Sequence, residues 1–164
     1  MLALLLFGLA LVLTAVQLTI KAEWNKVKMV EVLLSYLLLF SLGVMVILAA
    51  YAHLFMGAEI AQQIGWPAGS PFQFEVGMAN LAFGVLGVLS FWYRGNFWGA
   101  TIWGWSIFVL GCFVGHVMDF ILRGNVAPYN IGPFIWFYDL FLPFLLLGLY
   151  QCYLKLLAKR EEKE

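Results

Sequence analysis

The sequence predicts an all-α fold, a polytopic membrane helix bundle of about five transmembrane helices, and three observations carry that prediction. Mean hydropathy is +0.93, with 64% hydrophobic and only 11% charged residues. That lies well outside the soluble globular range, so the bilayer is the expected solvent. The apolar residues fall in long runs parted by short polar links. The 164 residues hold about five spans of ~20 residues each and leave no room for a separate soluble domain. A net charge of zero gives no reason to expect nucleic acid as a partner.

The spans are expected at about 1–20, 30–62, 71–93, 97–122 and 133–155, as one transmembrane domain over 1–158 with a charged cytoplasmic tail over 159–164. Residues 1–20 carry no charge. They have neither the basic leading region nor the small-residue cleavage site of a secretory signal, and so read as a span. Lys21 to Lys28 form a basic link with Trp24 at interfacial height. The second segment runs from Met29 to Gln63 without a proline. An unbroken helix of that length would reach roughly 50 Å against a hydrocarbon core of about 30 Å, so it is expected to tilt or project at its far end.

Ser70-Pro71-Phe72-Gln73 reads as a helix start: Ser70 suits the N-cap, Pro71 the first helical position and Gln73 the third position of a capping box. Glu75 then lies early in the third span. Arg94-Gly95-Asn96 is a tight turn. Gly111 and Gly115 in the fourth span make a GxxxG pair, where another helix can approach closely. Pro133 opens the fifth span. Pro143 lies inside it, has no N–H for the carbonyl of Asp139 and should kink the helix there. Cys112 and Cys152 fall in different spans at different depths, so no disulfide is expected.

Lysine and arginine are unevenly shared. Lys21, Lys26, Lys28, Arg94, Lys155, Lys159, Arg160 and Lys163 fall on one side of a five-span arrangement, and Arg123 alone on the other. The positive-inside rule then puts the N-terminus outside and the C-terminus inside, in a multi-pass protein of the cell membrane.

In that frame His53, Glu59, Glu75, His116, Asp119 and Asp139 all converge on the outer half, with Asn80 about 7 Å deeper than Glu75. Carboxylates inside a membrane are costly and face partners in the bundle interior, so convergence from several helices marks a site. Each residue also has a plainer reading. Asp119 and Arg123, four apart, can pair locally. Glu59 and Glu75 can sit solvated at the headgroups, a histidine can simply donate to a carbonyl, and Asn80 can be interhelical glue. Trp66, Tyr129 and Trp136 outside, with Trp92, Trp98 and Tyr153 inside, read as aromatic belts.

The expected ligand-binding set is Glu75, Asn80, His116, Asp119 and Asp139. His53, Glu75, His116 and Asp139 are the candidate ligands of a divalent transition metal such as zinc, iron or manganese. Met56, Met78 and Met118 at similar depth leave copper open. No Glu-x-x-His or His-Glu-x-x-His motif supports the metal. Haem b between His53 and His116 is a lesser alternative, since it leaves the carboxylates unexplained. A proton-linked path for a small solute is another, with the loop Gly65–Pro71 as its lid. The contrasting class is a non-catalytic structural or accessory subunit that packs through Gly111 and Gly115 as a homo-oligomer or within a membrane complex. No nucleophile elbow, phosphate loop or Cys-x-x-Cys is present.

The run AHLFMGAEIAQQIGWPAGSPFQFEVGMANLAFGVLG, with RGNFW, GHVMD and NVAPYNIGP after it, resembles a family of small bacterial and archaeal integral membrane proteins that is catalogued as a domain of unknown function. The likeness spans about Ala52 to Pro143. It implies no activity, cofactor or catalytic residue.

Overall fold

A computed structural model describes residues 1–162; Lys163 and Glu164, the end of the expected charged tail, lie outside the described residues. The described chain is helical throughout, with five helices long and apolar enough to cross a membrane. These are α1 (Leu2–Lys21), α2 (Lys26–Phe55), α4 (Phe72–Leu89), α5 (Asn96–Arg123) and α6 (Pro128–Glu161). A short helix, α3 (Gly57–Ile64), lies between α2 and α4. Short links make the long helices alternate in direction, so the bundle has a histidine end, near His53 and His116, and an Arg94 end.

The second segment is not one long helix. It breaks at Met56, whose φ of −128° and ψ of 33° leave the helical region, and α3 follows. This resolves the excess length that an unbroken run to Gln63 would carry. α3 itself ends at Gly65 in the left-handed conformation, φ 83°. At the other end of α2, the Asn25 side chain accepts from Lys28 N at 3.0 Å and caps the first turn.

α2 is the centre of the bundle and packs against α1, α4 and α6, while α5 packs on α6. Leu34, Leu37, Leu38, Leu42 and Val46 of α2, Trp98, Ile102 and Trp105 of α5, and Leu142 and Leu146 of α6 are its buried core. In hydrocarbon such helices gain little from hiding apolar surface and are held by close packing instead. The closest packing runs between α2 and α4. A Cβ built on Gly87 would lie 2.6 Å from the Gly43 nitrogen, and one on Gly84 would lie 2.9 Å from that of Ile47. Backbone meets backbone here because Gly77, Gly84 and Gly87 share one face of α4. Gly111 and Gly115, by contrast, are exposed on α5, with nothing within 4 Å of a built Cβ. The intrachain seam therefore uses other glycines than the GxxxG pair.

Two π-helical stretches interrupt α2 (Leu37–Val44) and α6 (Trp136–Phe141). The second ends just before Pro143. The widened turn is how α6 accommodates a proline that can neither donate to the Asp139 carbonyl nor fit its ring beside it. The first stretch carries the Ser41 carbonyl, to which the Tyr138 hydroxyl donates at 2.6 Å. A side chain inserted into the helical ladder in this way widens a turn.

At the Arg94 end, Arg94 donates to Glu31, which also pairs with Lys28 at 2.9 Å. Trp98 and Tyr153, expected in an inner belt, are buried instead, and the Trp98 indole donates to the Ser90 carbonyl at 2.6 Å. α6 runs on through Lys155 to Glu161, so part of the expected tail is helical.

Candidate functional site

The histidine end is tied together by residues from a loop, a helix terminus and a second loop. α5 presents His116 and Asp119, three residues apart and so on one face, and both are buried. Gly124, left-handed at φ 66°, ends α5 and turns the chain back. That turn brings Asn125 over Asp119 and Asn130 over His116.

Asp119 is fully engaged. Its Oδ2 accepts from the Trp66 indole at 2.9 Å and from Asn125 Nδ2 at 2.6 Å. Its Oδ1 pairs with Arg123 at 3.2 Å. The local Asp119–Arg123 pairing therefore exists, but Arg123 is largely exposed, and the neutral donors carry the contact. Asn125 Nδ2 also donates to the Ile64 carbonyl at 2.8 Å, fastening the end of α3. A Cβ on Gly65 would come within 2.6 Å of Asn125 Oδ1, so this junction requires glycine for space as well as for its positive φ.

Asn130 is completely buried. Its Nδ2 donates to the His116 carbonyl at 3.3 Å and to the Asn125 carbonyl at 2.9 Å. Two carbonyls on one side fix the amide's orientation, so Oδ1 faces His116 Nδ1 at 2.9 Å. Nδ1 must then carry the proton and donate it, which leaves Nε2 as the lone-pair nitrogen of a neutral ring. Trp66 stacks on the same imidazole, with centroids 5.5 Å apart and planes inclined by 17°. Trp66 is thus a structural partner of both His116 and Asp119, not a free belt residue.

His53 repeats the pattern. Its Nδ1 lies 2.7 Å from Gln73 Oε1. Gln73 is buried and spends its side chain on this cross-helix bond, not on a capping box; Ser70 Oγ instead accepts from Phe72 N at 3.3 Å. His53, Gln73, Gly57, Gly69, Ser70 and Phe74 line a recess of about 320 Å³ between α2, α3 and the start of α4.

The structure gathers only part of the expected set. His116 and Asp119 belong to one network, and His53 lies within electrostatic reach of His116. Glu75 is exposed and has no partner among the described residues; it lies two residues beyond Gln73 and therefore on the opposite face of α4. Asn80 is half-buried and makes no hydrogen bond to the described residues, and Glu59 is exposed. Asp139 is buried about three turns into α6, beside Cys112 and not beside the histidines.

Among the described residues no three His, Cys, Asp or Glu side chains come together in a way that would hold a metal ion. The set His53, Glu75, His116 and Asp139 is not brought together as such a group. Glu75 faces away from α2, and Asp139 sits deeper in the bundle. Asn125, Asn130 and Gln73 were missed by the sequence reading. All three are short polar amides in or beside loops, and the only hint was their place in the distinctive runs PFQF and NVAPYNIG.

No curated protein and no solved structure matches this chain. The profile of a family of unknown function, DUF6790, matches residues 1–159, and the chain belongs to that family.

Proposed function

We propose that the chain is a multi-pass membrane protein that binds a small polar ligand at its histidine end, in the recess beside His53. The observation that carries this reading is the His53–Gln73 pair at the edge of that recess. With Nδ1 bound to the Gln73 oxygen, Nε2 of a neutral His53 is an acceptor for a hydroxyl or amine of the ligand. The Ser70 hydroxyl adds a donor and acceptor, and Phe74 an apolar wall. The Trp66–Asp119–Asn125–Asn130 network holds the loops that border the site and does not itself contact the ligand. The positive-inside count supports an outer, solvent-facing position for this end, with the C-terminus cytoplasmic and the cell membrane as its location.

One experiment tests both site and orientation. In a chain freed of Cys112 and Cys152, Ser70→Cys should react with a small membrane-impermeant thiol reagent added outside intact cells, and Arg94→Cys should not. The reverse pattern would sink the orientation. Native mass spectrometry of the protein released from nanodiscs should show a small adduct on the wild type that His53→Ala lacks. Adduct-free masses for both proteins would sink the ligand reading.

A second reading, an accessory subunit, is favoured by the surface of α5. Gly111 and Gly115 are exposed among Ile107, Val114 and Met118, an apolar face on which a second copy of the chain or another membrane helix could pack closely.

A further inference from the structure

Three buried polar groups inside the bundle have no partner among the described residues. The Ser41 and Ser106 hydroxyls are buried without a hydrogen bond to the described residues. Asp139 is 6% exposed and makes neither a hydrogen bond nor a salt bridge to them. They come from three helices, α2, α5 and α6. Tyr138, next to Asp139, donates to the Ser41 carbonyl and packs edge-on against Trp105, next to Ser106.

A carboxylate stripped of water and of partners is the most expensive group a membrane interior can hold. The side chains around Asp139 offer no countercharge. α1 has no ionisable side chain before Lys21, and α2 has only tyrosines and His53 beyond Glu31. α5 offers the Cys112 thiol, within electrostatic reach. Tyr138, the ionisable neighbour on α6, has its hydroxyl committed to Ser41. Towards the histidine end, Cys112, His116 and Asp119 follow one another at four- and three-residue steps along one face of α5. That face leads from Asp139 to the network beneath Trp66.

We propose that Asp139 is an exchangeable proton-binding site at the centre of the bundle, reached from the histidine end along the Cys112–His116 face of α5. The carboxyl holds a proton in the resting protein and gives it up to water that enters from that end. The site is separate from the recess at His53 and does not depend on a ligand there.

Infrared difference spectroscopy of the full chain in lipid nanodiscs tests it. At neutral pH the wild type should show the carbonyl band of a protonated carboxyl that shifts on transfer to deuterium oxide. The water-exposed carboxylates contribute nothing to that band. Asp139→Asn should abolish it, Asp139→Glu should move it without removing it, and Glu59→Gln should leave it unchanged. No such band in the wild type, or one that survives Asp139→Asn, would overturn the proposal. Loss of the band when sodium is added at constant pH would overturn it in favour of a metal-cation site. If Asp139→Asn does not fold, the wild-type and Asp139→Glu spectra still decide.

Discussion

The Tyr138 hydroxyl donates to the Ser41 carbonyl at 2.6 Å, and through this bond the π-helical stretch of α6 touches the π-helical stretch of α2. Two local departures from α geometry are thus one contact. Pro143 frees a turn of α6, and Tyr138 from that turn enters the ladder of α2. Tyr138→Phe should keep the ring against Trp105 and lose only the bond, at a cost of about 1 kcal/mol. Ser41→Ala should cost next to nothing, because the Ser41 hydroxyl has no partner to lose among the described residues. Reversible unfolding in mixed detergent micelles would measure both.

The glycine seam makes a sharper contrast. Gly87→Ala forces a methyl against the Gly43 backbone, and overpacking of that kind costs about 1–3 kcal/mol. Gly111→Ala meets open space and should leave the unfolding midpoint of the monomer unchanged. A large loss in Gly111→Ala would mean that the α5 face is covered by a partner in the purified protein.

Asn130→Ala removes three hydrogen bonds and takes the partner from the His116 Nδ1–H and from the Asn125 carbonyl at a buried site. The cost should be at least about 2 kcal/mol. Hydrogen exchange should rise over residues 124–131 before it rises in α2. Equal protection in variant and wild type would show that the network contributes little.

Gly65 and Gly69 both have φ above +80°, yet they should respond differently to alanine. Gly69→Ala adds only the left-handed penalty of about 1–2 kcal/mol, since its surroundings are open. Gly65→Ala adds a collision with the Asn125 amide and should release α3 from Asp119. Limited proteolysis between Gly57 and Ser70 would report the difference as faster cleavage in Gly65→Ala alone.

Much of the architecture was legible because hydropathy, proline and charge act locally. The five spans, the Arg94 turn, Pro133 at the start of a helical turn and the disturbance at Pro143 all follow from residues within a few positions. The break at Met56 did not. Nothing near it forbids a helix, and the side chain packed against Gly57 just after the break is Gln73, sixteen residues further on. Gly111-x-x-x-Gly115 was read as the packing motif because the pattern is recognisable. Which face of a helix finds a neighbour is a property of the whole bundle, and the neighbour went to Gly84 and Gly87. Counting carboxylates and histidines pointed to the end where His53 and His116 lie. Its members were chosen by charge, however, and the bundle satisfies its histidines with neutral amides, which carry no signal in charge or periodicity.

The backbone-to-backbone seam between α2 and α4 has one more consequence. His53 and Gln73 stand on these two helices just beyond the last glycine of the seam, Gly77, where a built Cβ would lie 2.7 Å from Leu54. Helices in such contact cannot draw closer, so the gap they frame has a lower limit to its gauge. A guest at His53 would be sorted by width before any hydrogen bond is made, and the protein would act on it as a calliper that cannot close.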